Sequence, residues 1–222
     1  MEYNRRSILV AGASASLLVL PGCSSLPGLS LTEAIQRLLT LSSQNAFAEL
    51  LQPNGFFDSQ VGRISVPDSL GGSRITSIAT ALLRSRPIQD RLLKQVNRAA
   101  EKGAELAAPI VADTIRNMSI ADAAAIINGG PHAATDLLQS NLGATLTNRM
   151  LPGVGEGLKL FDNEIINLVL SQVSNVDFSG IRGDVTDKVS KAIYRSIGAQ
   201  EEAIRANPQS TNDPLLIAVF GI

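Results

Sequence analysis

The only histidine, His132, stands four residues before Asp136 in a chain with many serines, so the parts of a nucleophile, base and carboxylate relay are all present. No G-x-S-x-G elbow positions a serine for it, and an imidazole just behind Pro131 reads as a solvated first-turn residue. Three carboxylate pairs, Glu101 with Glu105, Asp122 with Asp136 and Glu201 with Glu202, would do acid–base work if a cleft split their pKa values. Glu101 and Glu105 share a helix face with Arg98 and Lys102, the pattern of a charge-compensated solvated surface. Glu201, Glu202 and Arg205 read as an exposed helix end, with Arg205 favourable at the negative pole of the helix dipole. Gly153-x-Gly155-x-Gly157 offers backbone N–H groups to a phosphate, but no strand precedes it and no Lys-Ser/Thr follows, so it is expected to be a flexible joint between helices.

One His and one Cys cannot furnish the usual zinc site, a disulfide, or a Cys–His pair with ligands to spare. No metal and no cofactor are therefore expected. With 19 Lys and Arg against 20 Asp and Glu the net charge is -1, which leaves no field to hold nucleic acid. Two sets of polar residues remain. Asn97, Arg98, Glu101, Asn117, Asp122 and Thr135 form a candidate polar cluster if a long helix and the two after it fold back on one another; capping and interhelical hydrogen bonding are their ordinary roles. Ser196 and Gln200 fall inside the apolar arc of their helix, where buried polar groups must find partners or line a cavity.

The elements that would position these residues are helices. Ser30-x-x-Glu33 is a capping-box signature ahead of Leu31, Ile35, Leu38, Leu39 and Leu41, and Pro53-Asn54-Gly55 stops that run. Residues 56–67 read as a loop with at most one short strand pair, and a second helix is expected from Asp68 to Arg84. Pro87 opens a helix of about 45 Å that reaches Asn117, with Pro109 on its polar side expected to bend it near Glu105. Its small residues Ala99, Ala100, Gly103 and Ala107 would let another helix come close. The segment at Asp122 caps a short helix, and Pro131 opens one expected to run to about Met150. Leu158–Val173 is apolar enough to be a buried helix, Asp184–Ala206 is amphipathic, and Pro214 starts a last apolar segment. This pattern predicts a single all-α domain, a bundle of six to eight helices.

The N-terminus carries an address. Arg5 and Arg6 precede 14 uncharged residues, Ser7 to Leu20, too few to span a bilayer, which needs about 20. Leu20-Pro21-Gly22-Cys23 then resembles the lipobox of bacterial lipoprotein precursors, which implies cleavage before Cys23 and acylation of its thiol and freed amine. The alternative is cleavage after Ala13-Ser14-Ala15, with Cys23 an ordinary thiol. Asn4-Arg5-Arg6-Ser7-Ile8-Leu9 also resembles a twin-arginine motif, and that route and the general one both lead to export. The expected organisation is a signal peptide over 1–22, a lipidated tether over 23–29 and the helical domain over 30–222. Without the signal peptide 17 basic residues face 19 acidic ones, and no polybasic run is left for anionic headgroups. Ser24 rather than Asp after the cysteine implies the outer membrane, facing the periplasm.

Four ordered segments, Asn97-Arg98-Ala99-Ala100-Glu101, Asn117-Met118-Ser119-Ile120-x-Asp122-Ala123, Gly130-x-x-Ala133-Ala134-Thr135 and Glu201-Glu202-x-x-Ile204-Arg205-x-Asn207-Pro208, resemble those of the domain of unknown function 4197 family. The closing Val219-Phe220-Gly221 is similar too. The family tends to place aromatic residues where Leu137 and Leu138 stand, and Arg-Thr-Thr where this chain has Ser210-Thr211-Asn212-Asp213. The resemblance implies an envelope lipoprotein without an assigned activity. The expected function is a non-enzymatic interaction or structural module held to the membrane through Cys23, with an envelope protein as its partner; the alternative is a carrier or enzyme enclosing an apolar or amphiphilic small molecule.

Overall fold

The computed structural model describes residues 30–65, 85–159 and 178–221. Among them are eight α-helices and no strand: α1 Leu31–Leu50, α2 Gly55–Asp58, α3 Arg86–Asn117, α4 Ala123–Ile127, α5 Ala133–Leu142, α6 Ala144–Lys159, α7 Phe178–Ala206 and α8 Pro214–Phe220, with a 3-10 turn at Pro208–Thr211 before α8. The expected all-α single domain is what forms. Residues 56–65 hold the helical turn of α2 and a loop rather than a strand pair. The helices expected over Asp68–Arg84 and, past Lys159, over Leu158–Val173 lie outside the described residues.

Local signals account for the starts of α1, α3, α4 and α8. Ser30 accepts the Glu33 N–H at 3.2 Å, Asp122 accepts that of Ala125 at 2.9 Å, and Asp213 accepts those of Leu215 and Leu216 at 2.9 and 3.2 Å. Pro87 and Pro214 sit in first turns, where a missing N–H costs nothing. The run expected from Pro131 to Met150 is instead two helices. Gly143, with φ +49° and ψ -134°, separates them in a conformation a side chain would strain.

The glycine segment corrects the expectation of a joint. α6 continues through Pro152, Gly153, Gly155 and Gly157 to Lys159, because the bare faces of two of these glycines are clamped against α3. A Cβ on Gly153 would stand 2.5 Å from the Lys102 carbonyl oxygen, and one on Gly157 2.5 Å from the Ala99 Cα. Gly103 answers from α3, where a Cβ would come within 2.6 Å of Val154 Cγ2. The Ala99–Gly103–Ala107 stripe is therefore buried against another helix, as its pattern predicts. Leu106, next to Ala107 in the chain, is exposed, and α3 runs on through the exposed Pro109.

The four long helices close a ring: α3 packs on α6, α6 on α7, α7 on α1, and α1 on α3. Inside it Ile35, Leu38 and Leu39 of α1 meet Val96, Ala104 and Val111 of α3, Met150 and Val154 of α6, and Val189, Ile193 and Ile197 of α7 in one continuous core. Each large aliphatic side chain buried there contributes about 1.5–3 kcal/mol. The short helices lie on this frame, α5 against α7, α1 and α3, α4 against α1 and α5, and α8 against α1. None of the described helices is long and apolar enough to cross a membrane.

Candidate functional site

Segments distant in sequence meet where α5 begins and α7 ends. Glu201, fully buried, lies at the N-terminus of α5 and accepts four hydrogen bonds. The Ala134 N–H donates to its Oε1 at 3.0 Å, and the Thr135 N–H and hydroxyl donate to Oε2 at 2.7 and 2.6 Å. Arg205, one turn on, donates through Nε to Oε1 at 2.8 Å. Its two terminal nitrogens donate to the carbonyls of Ile127 and Ile126 at 2.9 and 3.0 Å, at the end of α4. The guanidinium then lies over the Phe220 ring of α8, 4.9 Å from its centre.

One ion pair thus satisfies two free donors that start α5 and bonds two carbonyls at the end of α4, with a negative group at the positive pole of a helix. Its chemistry is structural: the carboxylate has its lone pairs occupied and is closed to solvent. This corrects the reading of Glu201, Glu202 and Arg205 as an exposed helix end. Only Glu202 is exposed, and Arg205 is largely covered. A signal was present in the sequence, since Glu201 falls four residues after Ile197 at the edge of the apolar arc of α7.

Beside this junction α5 and α7 enclose a cleft of about 520 Å³. His132, Thr135, Asp136 and Gln139 line one wall, Lys191, Tyr194, Arg195, Gly198, Ala199 and Glu202 the other, and Val61 closes one end. Gly198 lets the imidazole lie on α7, for a Cβ there would be 2.9 Å from His132 Nδ1. That nitrogen is buried and has no hydrogen-bond partner among the described residues, while Nε2 stands 3.7 Å from the Glu202 carboxylate. The Tyr194 hydroxyl is likewise buried and unpartnered, and burial pushes its pKa up to about 12. Tyr194 therefore remains a neutral donor at physiological pH. Opposite charges on the rim, Lys191 and Arg195 against Asp136 and Glu202, suit a zwitterionic or amphiphilic occupant more than a simple ion. No group of three or more His, Cys, Asp or Glu among the described residues is placed to hold a metal.

The six residues of the candidate polar cluster answer to different partners. Asn97, fully buried, accepts the Ile64 N–H at 3.1 Å and donates to the carbonyls of Ile64 at 3.2 Å and Leu93 at 2.7 Å, pinning the loop after α2 to α3. Glu101 is half-buried one turn further on. Burial raises its pKa, and the charge of the exposed Arg98 and the Asn54 N–H pull it partly back. Asn117 bonds the Asp113 carbonyl of its own helix at 2.8 Å, Asp122 caps α4, and Thr135 belongs to the Glu201 junction. Ser196 is buried with its hydroxyl unpartnered against the Gly62 loop, and Gln200 is half-buried. Neither lines the α5–α7 cleft. Cys23 lies outside the described residues.

Neither a curated protein nor a solved structure matches the chain. A family model does, over residues 25–221, and its description is a protein of unknown function (DUF4197). The match takes in every helix of the ring and all of the segments that converge on Glu201 and Arg205. The chain belongs to the DUF4197 family.

Proposed function

We propose that this protein is an exported bacterial envelope lipoprotein, anchored through Cys23, whose helical domain serves as a non-enzymatic interaction or structural module at the membrane surface. The observation that carries the reading is the spacing of Leu20-Pro21-Gly22-Cys23, behind an apolar stretch too short to span and only six residues before the Ser30 cap of α1. Several acyl chains on one residue give stable anchoring where a single chain is marginal. Two polar devices of the domain, Asn97 on Ile64 and Glu201 with Arg205, hold helices and loops together, which supports a structural role for the family segments. Metabolic labelling with palmitate tests the anchor: the wild type takes up label and Cys23→Ala does not, whereas equal labelling refutes it. Ser24 after the cysteine points to the outer membrane, and recovery wholly in the inner membrane would overturn that placement.

The α5–α7 cleft favours a second reading, a carrier for a small amphiphile. Its volume falls in the range of small-molecule sites, about 300–1,000 Å³, and its lining includes Tyr194 and His132, whose hydroxyl and Nδ1 are buried without partners among the described residues. A co-purified lipid or other amphiphile in native mass spectrometry of Cys23→Ala, lost in Gly198→Leu, would select this reading over the first.

A further inference from the structure

We infer that α8 is a second membrane contact: Pro214, Ala218 and Gly221, flanked by Leu215 and Ile217, rest on the bilayer in which Cys23 is anchored. The inference rests on the acylation of Cys23 proposed above. Its starting point is a helix with no polar side chain, Pro-Leu-Leu-Ile-Ala-Val-Phe. A surface helix of a globular domain turns charged or polar residues outward, and one that is apolar all round belongs inside something larger. In α8 only Leu216 is buried in the core; Pro214, Ala218 and the following Gly221 are exposed, and Leu215 and Ile217 are half-covered. At about 100° per residue 214, 218 and 221 share one side, with 215 and 217 at its edges.

This face is held in place. Asp213 accepts the Leu215 and Leu216 N–H groups and takes the Arg37 guanidinium of α1 at 3.0 Å, while Phe220 is pinned under Arg205. Burial alone would raise the Asp213 carboxyl; the Arg37 hydrogen bond and the two N–H groups outweigh it and hold its pKa below the usual carboxylate range. The cap is therefore charged and intact at physiological pH.

Position argues for a bilayer as the occupant rather than a protein. Arg37 lies seven residues into α1 from Ser30, about 10 Å along the helix, so α8 docks at the end of the body where the tether enters. Six residues separate Cys23 from Ser30, a reach of about 25 Å at full extension, against about 30 Å for the length of α1, whose far end leads into α2. An acylated Cys23 thus keeps this end of the bundle, and not the end with α2, near the lipid. With no polybasic run in the mature chain, an apolar face is what remains to make the contact.

The chain contains no tryptophan, so one introduced residue reports its own surroundings. Ala218→Trp on the outward face of α8 and Gln60→Trp on the exposed loop after α2 are prepared as full acylated lipoproteins. Each is reconstituted in phosphatidylethanolamine–phosphatidylglycerol vesicles with brominated acyl chains. The expected result is a blue-shifted emission quenched by the brominated lipid for Ala218→Trp, and unquenched emission for Gln60→Trp. Protein that floats with the vesicles while Ala218→Trp stays unquenched, including any that a second copy or another protein shields, overturns the inference and leaves the anchor standing. Protein that carries no acyl chain and does not float overturns the anchor, and this inference with it.

Discussion

The seam between α3 and α6 and the junction of α4, α5 and α7 solve the same problem, holding helices together, by opposite means. At the seam the side chains are nearly absent: Gly153 and Gly157 take the α3 backbone against their α-carbons, and dispersion over the close contact supplies the stabilisation. At the junction a charged pair is covered and held by hydrogen bonds, Glu201 with four donors and Arg205 with three acceptors. The seam tolerates no added atom, and the junction tolerates no removed one. That difference shows why Glu201, Thr135 and Arg205 are polar although they are buried or largely covered.

The largest expected effect lies at the junction. Glu201→Ala leaves the Arg205 charge and the first N–H groups of α5 without partners, which should cost about 3–5 kcal/mol in urea melts. Glu201→Gln keeps an acceptor and should lose less. If the two variants were equally mild, the pair would be no more than a surface ion pair and the contrast with the seam would fall.

Along α6 the expected effects are smaller and differ in sign between the seam and the side facing α7. Gly157→Ala should lower stability by about 1–3 kcal/mol, since its Cβ would meet the Ala99 Cα, a backbone atom that cannot turn aside. Gly155→Ala meets only the Arg182 Cδ at 3.0 Å, the stem of an exposed flexible side chain, and should gain roughly 0.5–1 kcal/mol from the better helix former. Thermal melts that move both variants in one direction would mean that helix propensity, not packing, governs α6.

Glu101 sharpens the comparison from the other side, as a half-buried carboxylate with one oxygen lacking a partner. Its pKa is raised in the folded chain, so the folded state holds a proton that the unfolded state has released. Stability therefore falls as pH rises from the usual carboxylate pKa through the raised one, and the loss is complete above it. Glu101→Gln should remove this pH dependence and gain less than about 1 kcal/mol at neutral pH, the group being too solvated for more. A melt difference between wild type and variant that does not shrink on acidification would contradict the assignment.

Much of the fold was legible because its signals are local. Ser30, Asp122 and Asp213 cap the helices they precede, and a period of 3.6 marks the core face of α3 and α7. Failures came where two neighbours in sequence compete. Gly153, Gly155 and Gly157 look like a break until α3 is laid against them, and the stretch from Pro131 looks continuous until Gly143 adopts a positive φ. At the candidate site, His132, Asp136 and Glu202 could be named from the sequence, but the Tyr194 hydroxyl and the hollow between α5 and α7 could not.

By itself the sequence determined the helical class, the starts of α1, α3, α4 and α8, the address at Cys23 as an expectation, and the stripe of small residues that makes α3 a packing surface. These follow from residue order alone, since caps act over three residues and amphipathicity over a few turns. Only the tertiary structure decided which polar residues are spent on the frame and which face a cleft. Glu201 meets Thr135, 66 positions away, and Arg205 meets Ile127, 78 positions away, and no local pattern encodes which helix end will point at a given carboxylate. That choice is made when the helices close into a ring and each buried donor must find an acceptor.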